Sequence, residues 1–328
     1  MHAVKSRRWS VTLVALIPLV WIGAVACGGD DPAPDPDPVT LGHPDGVITA
    51  TQLLQNRPYG VAVSGSGIVY VALIGSNMLV RGSLPATTFP DTVLVGNTPP
   101  HVAFLPGGQR VFATLQTAMG VAAVDVASNA LVTTVPLSSD GFNLAANAQR
   151  IYATTAAGQL YVINASTYGV VTTLNVGAAA NGLAFSPDGA TLYVSSRDAG
   201  TITAIRTSDN AITRTYVLGG MLQRIAVSPD GATLYAANET VGLDVLDLAS
   251  GAADTVGFGT PAYGLGITPD GEQLYVLLSE AGQVRILNRA DLAPVKSLVI
   301  GGRPRNVAFD SLGTTALVTN EESVTFIE

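Results

Sequence analysis

Short apolar runs separated by turn residues recur along the chain from residue 47 to the C-terminus. In each recurrence an apolar residue is followed by Ala or Gly and then by a second apolar residue. The triplets begin at Val61, Val102, Leu144, Leu183, Ile225, Leu265 and Val307, which are 39 to 42 residues apart. A period of this length indicates seven copies of one supersecondary unit.

The fourth repeat shows the pattern inside one unit. Alternating apolar positions predict strands at residues 183–186, 191–195, 201–206 and 211–218. A Ser-Pro-Asp-Gly turn at 186–189 joins the first two strands, and related turns recur at 228–231 and 268–271. Four strands in about 40 residues are typical of a propeller blade. The sequence therefore predicts an all-β fold, a seven-bladed β-propeller with four antiparallel strands in each blade.

The last repeat indicates how the ring closes. It ends after three predicted strands, at residues 306–310, 315–319 and 324–327, so a fourth strand is missing. Residues 47–54 precede the first repeat and have the place and pattern of a fourth strand. Pairing this N-terminal strand with the last repeat would complete the seventh blade and cover two strand edges. An open solenoid is the structural alternative, and the strand count favours the closed ring.

Three second strands carry a family resemblance. The strings LYVSS at 192–196, LYAAN at 234–238 and LYVL at 274–277 each follow a Pro-Asp-Gly turn. They resemble the YVTN-type β-propeller repeat over residues 47–328, clearly in repeats four to six and faintly in repeat three. The resemblance implies a seven-bladed propeller of the lactonase-like superfamily, found outside the cytoplasm, and does not imply one activity.

The first 26 residues have the pattern of an export signal. Residues 1–10 carry basic side chains and no acidic one, and residues 11–26 form an uncharged apolar run. This run is shorter than the roughly 20 residues needed to cross a bilayer. Cys27 follows in the string Ala-Val-Ala-Cys, which resembles a bacterial lipobox and implies a lipid on Cys27.

The sequence divides into three parts on this basis. We predict a lipoprotein signal peptide at 1–26, an acidic tether rich in Pro and Asp at 27–45, and the propeller at 46–328. We expect an exported protein that the lipid on Cys27 anchors to a membrane, at the outer membrane or the cell surface and periplasm. We also expect a monomer.

The charge balance bears on the choice of partner. Only 12% of the residues are charged, and the net charge is −8. Removing residues 1–26 takes away three basic residues and no acidic one, so the net charge becomes −11. Such a surface repels phosphate backbones, and we do not expect nucleic acid to bind.

Candidate binding residues lie just before each apolar triplet, where the fourth strand of one blade leads into the next blade. Two positions before the triplets the residues are Tyr59, Pro100, Phe142, Asn181, Gln223, Tyr263 and Arg305. One position before them are Gly60, His101, Asn143, Gly182, Arg224, Gly264 and Asn306. Arg303 lies nearby, and the loops between second and third strands bring Arg197, Asp198, Glu239, Glu280, Glu321 and Glu322 to the same face.

These residue types favour an anionic or sugar-like ligand, because aromatic rings, amides and guanidinium groups occur together. The candidates for ligand binding are Tyr59, His101, Phe142, Asn143, Asn181, Gln223, Arg224, Tyr263, Arg303, Arg305 and Asn306. A solvated mouth without a ligand is the alternative interpretation, since exposed polar loop ends are common.

Catalytic and cofactor signals are weak. His101 is the sole His of residues 46–328, and Cys27 is the sole Cys of the chain. We therefore predict no metal site, no cofactor and no catalytic residue. The leading hypothesis is a scaffold that binds a protein or a polysaccharide at the cell envelope. A lactonase-like periplasmic hydrolase and a quinone-type redox propeller are the alternatives.

Overall fold

Residues 40–328 are described by a computed structural model of the chain. The predicted signal peptide, Cys27 and the tether up to residue 39 lie outside the described residues. Within residues 40–328 there is no helix that could span a membrane. All regular structure in this part of the chain is β-strand.

The strands form seven separate four-stranded sheets. In chain order they are β1 (Ile48–Leu53), β2 (Pro58–Val63), β3 (Ile68–Leu73), β4 (Met78–Ser83), β5 (Asp91–Leu94), β6 (His101–Phe104), β7 (Arg110–Leu115), β8 (Gly120–Asp125), β9 (Ala130–Pro136), β10 (Gly141–Ala146), β11 (Arg150–Thr155), β12 (Gln159–Asn164), β13 (Val170–Asn175), β14 (Ala180–Phe185), β15 (Thr191–Ser196), β16 (Thr201–Arg206), β17 (Ile212–Val217), β18 (Leu222–Val227), β19 (Thr233–Asn238), β20 (Gly242–Asp247), β21 (Ala253–Val256), β22 (Gly264–Ile267), β23 (Gln273–Leu278), β24 (Gln283–Asn288), β25 (Pro294–Val299), β26 (Asn306–Phe309), β27 (Ala316–Thr319) and β28 (Ser323–Ile327).

Each blade is an antiparallel meander whose first strand faces the axis of the ring. Blades one to six are β2–β5, β6–β9, β10–β13, β14–β17, β18–β21 and β22–β25. The first strands of neighbouring blades contact each other all the way round, and β26 contacts β2. The predicted seven-bladed propeller with four antiparallel strands per blade is therefore confirmed, and the open solenoid is wrong.

The seventh blade is completed by the N-terminal strand, as predicted. Its order is β1-β28-β27-β26, and β1 runs antiparallel to β28 with Thr51 opposite Thr325. Backbone hydrogen bonds extend the pairing at both ends, from Leu54 N to Glu322 O and from Glu328 N to Val47 O. The pairing hides the edge of β28, which a missing fourth strand would leave open.

The seams between blades are closed by side chains of the second strands. Because these strands lie between two neighbouring blades, their residues are buried on both faces. Tyr70, Tyr152 and Tyr275 occupy the same position in blades one, three and six, and each is fully buried. Each ring packs edge-to-face against a Phe on the first strand of the next blade, at 5.1 to 5.8 Å between centroids. Such pairs add about 0.5–1.5 kcal/mol to the effect of burial.

The antiparallel meander creates two faces with different loops. We call the face with the starts of the first strands and the loops between second and third strands the mouth face. The opposite face holds the turns between first and second strands and between third and fourth strands, and we call it the turn face. The segment before β1 reaches the turn face, where Gly42 N bonds to Leu312 O and His43 bonds to Asp270.

Candidate ligand-binding site at the mouth face

A cavity of about 480 Å³ opens on the mouth face, and we call it the mouth cavity. It is lined by Tyr59, Pro100, Gln116, Phe142, Ala156, Ala179, Asn181, Arg197, Asp198, Gln223, Arg224, Glu239 and Tyr263. The lining includes six of the seven residues that lie two positions before the apolar triplets. Arg305 is the seventh and does not line the cavity. Its volume lies within the usual range for small-molecule sites, about 300–1,000 Å³.

Hydroxyl groups of the second strands hold the backbone of this ring. Thr114 Oγ1 donates to Phe142 O at 3.1 Å, and Thr154 Oγ1 donates to Asn181 O at 3.0 Å. Ser195 Oγ in turn donates to Gln223 O at 2.6 Å. These bonds cross from one blade to the next, so they fix the backbone at Phe142, Asn181 and Gln223, whose side chains line the cavity.

An equivalent hydrogen bond joins the last blade to the first. Thr319 Oγ1 donates to the carbonyl oxygen of Tyr59, 260 residues earlier in the chain. Gly60, the next residue, lies so close to the second blade that an added Cβ would come 2.7 Å from the Cα of His101. Glycine is therefore required at this position for the first two blades to meet.

One wall of the cavity is an aromatic corner built from the first and sixth blades. The rings of Tyr59 and Tyr263 meet edge-to-face with centroids 6.2 Å apart, and their hydroxyls share a hydrogen bond. The Arg305 guanidinium lies over Tyr263 at 4.4 Å and over Tyr59 at 5.4 Å from the ring centroids. Arg305 also pairs with Glu321, whose other oxygen binds Arg57. Burial raises the pKa of Tyr59, so its phenol stays protonated.

The opposite wall is a chain of polar side chains. The amide of Asn181 donates to Gln223, and the amide of Gln223 donates to Glu239. Arg197 binds Glu239 at 3.1 Å and Asp198 at 3.0 Å. Both carboxylates come from the loops between second and third strands, where the sequence predicted them. Each is bound by Arg197, which holds both carboxylates at the cavity wall.

Below the rim lie the residues one position before the triplets. Arg224 lines the cavity although only 8% of its surface is exposed. Burial lowers the pKa of its guanidinium from the usual value. Asn306 donates to His101 Nε2 at 3.3 Å and to Val61 O at 3.4 Å. Burial, together with the charge of Arg224, lowers the pKa of His101 well below its usual value, so its imidazole is neutral.

Other predicted candidates lie outside the cavity. Arg303 is half exposed and pairs with Glu280. Asn143 is buried, and its Oδ1 accepts a hydrogen bond from the backbone N of Leu144 at 2.8 Å. The structure therefore brings together Tyr59, Phe142, Asn181, Gln223, Arg224 and Tyr263 as lining residues, with Arg305, His101 and Asn306 behind them.

Gln116, Ala156 and Ala179 also line the cavity, although the repeat pattern around the triplets does not predict them. Gln116 and Ala156 directly follow β7 and β11, as Arg197 and Glu239 follow β15 and β19. Aligning the repeats on their second strands would have placed a second ring of residues at the mouth. Ala179 belongs to the loop before β14 and carries no such positional signal.

One group in the described part of the chain has the composition of a metal site, and it lies on the turn face. Ligand atoms of His43, Asp270 and Glu272 lie within 4.8 Å of one another. His43 Nδ1 is 2.5 Å from Asp270 Oδ2 and 3.8 Å from Glu272 Oε2. A hydrogen bond that fastens the N-terminal segment to blade six accounts for this contact.

Comparison with known proteins supports the fold. Neither a protein-family model nor a curated protein matches the sequence. Among solved structures the chain is similar to one titled Kuenenia stuttgartiensis hydrazine synthase, with a TM-score of 0.76 and 16% sequence identity. The alignment covers 88% of this chain and 99% of that one. At this identity the likeness extends to the seven-bladed propeller fold and not to an activity, and the YVTN-type assignment stays a prediction from sequence.

Proposed function

We propose that this protein is an exported lipoprotein whose propeller binds a polysaccharide at the cell envelope through the mouth cavity. The observation that carries the proposal is the combination of three aromatic side chains with two linked amides around one concave site. Sugar rings offer C–H faces that pack on aromatic rings, and hydroxyls that pair with amides and carboxylates. We also propose that the blades belong to the YVTN-type repeat family, on the strings at 192–196, 234–238 and 274–277.

A polysaccharide fits this cavity better than a folded protein partner. A stable protein interface buries about 1,200–2,000 Å² and has an apolar centre. The mouth cavity is concave, and hydrogen-bonding groups surround its aromatic side chains. A cavity of this shape suits a narrow polysaccharide chain that inserts one sugar unit.

The test is binding of the full chain, purified in detergent, to envelope polysaccharides and defined oligosaccharides by calorimetry. Phe142→Ala removes an aromatic ring from the cavity and should weaken binding about tenfold. Tyr168→Ala is the control on the turn face, and because Tyr168 packs against Phe112 its melting is measured before the titration. Equal affinity of the Phe142 variant and the wild type, with both folded, would exclude the mouth cavity as the binding site.

Analysis of the sugars after incubation separates binding from catalysis. Unchanged oligosaccharides support a scaffold, whereas shortened or ring-opened products would assign the hydrolase alternative. Asp198 and Glu239 would then be the first residues to replace, because they are the carboxylates that line the cavity.

The lipid anchor has a separate test. Cells that express the chain would be labelled with an alkyne fatty acid, and the protein examined for label and membrane association. We expect Cys27→Ser to remove both, because Cys27 is the only thiol in the chain. Label on the Cys27→Ser protein, or none on the wild type, would exclude the anchor at this residue.

A further inference from the structure

The Arg224 guanidinium is the unpaired cation of the mouth cavity. Its Nη1 is buried and has no hydrogen-bond partner among residues 40–328. The two carboxylates that line the cavity, Asp198 and Glu239, both bind Arg197. Of the other two arginines expected to contact a ligand, Arg305 is paired with Glu321 and covered by two tyrosine rings, and Arg303 is paired with Glu280. An entering anion therefore finds one guanidinium that no carboxylate of the described chain already binds.

The His101 side chain supplies a second unpaired donor. Asn306 Oδ1 accepts a hydrogen bond from Val307 N at 3.0 Å, which turns its amide nitrogen toward His101 Nε2. Nε2 must then act as the acceptor, so the ring proton of the neutral imidazole is on Nδ1. That Nδ1 is also buried without a partner in the part of the chain that the structure describes.

Both donors come from the position one residue before the triplet, His101 on the first strand of blade two and Arg224 on the first strand of blade five. Buried donors without partners lower stability, and a ligand that accepts from them restores it. We propose that Arg224 forms a carboxylate subsite at the floor of the mouth cavity, with His101 as a second donor behind it, and that this subsite holds the acid group of a uronic acid unit in the bound polysaccharide. This inference rests on the polysaccharide binding proposed above and names the sugar class.

The charges favour a monoanion on an otherwise neutral sugar chain. One guanidinium offers two parallel N–H groups to a planar carboxylate, and a neutral imidazole adds one more donor without a second charge. The acidic net charge of the chain disfavours a densely charged polyanion. The sugar hydroxyls next to the carboxylate then face the polar wall of Asn181, Gln223 and Glu239.

The experiment compares two forms of one oligosaccharide with the full chain by calorimetry. One form carries a single uronate, and the other has that carboxylate reduced to the alcohol. We expect the reduced form to bind wild type about 30-fold more weakly. Arg224→Gln should bind both forms alike, and His101→Phe should lose part of the preference. Arg206→Gln is the control, because Arg206 is an exposed arginine on the turn face that pairs with Asp209.

Each outcome decides between the two proposals. If wild type binds both forms equally well, the carboxylate subsite is overturned while polysaccharide binding stands. If neither form nor any other sugar binds, the proposed function fails with it. If an acidic peptide binds through Arg224 and the uronate does not, the sugar assignment is overturned. Arg224→Gln should melt at or above the wild-type temperature, and melting well below it would show a structural role instead.

Discussion

The two faces of the propeller are built from the same strands, but their loops differ in how regularly the hydrogen bonds and side chains repeat from blade to blade. On the turn face the Ser-Pro-Asp-Gly pattern gives the same hydrogen bonds in successive blades. Asp188 Oδ1 accepts from Ser186 Oγ at 2.6 Å and from Ala190 N at 3.0 Å. Blade five repeats the arrangement with Asp230, which accepts from Ser228 Oγ and Ala232 N.

On the mouth face the backbone bonds recur from blade to blade, but the side chains that surround the cavity do not. At the position just before the triplet, some blades carry Gly and others carry His, Asn or Arg. Arg224 and His101 each leave a buried donor unpaired among the described residues, whereas the turn-face aspartates satisfy the turns that they cap. Unpaired buried atoms occur on the turn face as well, and these include the acceptors Asn210 Oδ1 and Gln273 Oε1, whereas the two at the mouth are donors of the kind that an anion binds.

Both faces depend on ring closure, so the largest effect should come from β1. Deleting residues 47–54 removes a whole strand from the seventh blade and opens the edge of β28. We expect a loss of several kcal/mol in the free energy of unfolding, and melting curves would measure it. A peptide of residues 46–56 added in trans should restore part of the melting temperature. Unchanged melting after the deletion would contradict closure by this strand.

The next largest effect should come from the seam that positions the mouth. Ser195→Ala leaves Gly182 N and Gln223 O without the hydroxyl that both of them bind. We expect a loss of about 1–3 kcal/mol in denaturant unfolding and weaker ligand binding, because Gln223 lines the cavity. Ser83→Ala, on an exposed serine, is the control. Full stability of the Ser195 variant would mean that these hydroxyls do not fix the ring.

His101 should make the mouth sensitive to acid. Its pKa is lowered in the folded protein, so only the unfolded chain takes up a proton as the pH falls below about 6.5. Stability should therefore decrease below that pH, by up to about 1.4 kcal/mol per pH unit, until the folded pKa is reached. Melting between pH 7.5 and 5 would show this as a steeper decrease for wild type than for His101→Gln. Identical slopes would contradict a buried neutral imidazole.

The smallest effect should come from the turn face. Asp188→Ala removes one cap from an exposed turn and should lower the melting temperature by about 1–2 °C. Uronate binding should not change, because the turn lies at the other end of the blade. A change in affinity would mean that the two faces are coupled.

Most of the architecture could be predicted from local pattern. The predicted strands of the fourth repeat at 191–195 and 201–206 correspond to Thr191–Ser196 and Thr201–Arg206 in the structure. Its first strand begins at Ala180, three residues before the predicted start, because Ala180 still pairs with Ser196 at the end of the second strand. The fourth strand, Ile212–Val217, is one residue shorter at each end.

The sequence by itself determined the blade count, the closure by residues 47–54 and the ring of residues that would surround the mouth. Repeat period and turn chemistry are local properties, so the order of residues alone is enough to recognise them. Only the tertiary structure decided which charges meet, because Arg197 and Glu239 come from different blades. Tertiary structure also decided that Arg224 has no partner in the described chain. No sequence pattern predicts this, because it depends on which side chains lie within reach across the ring.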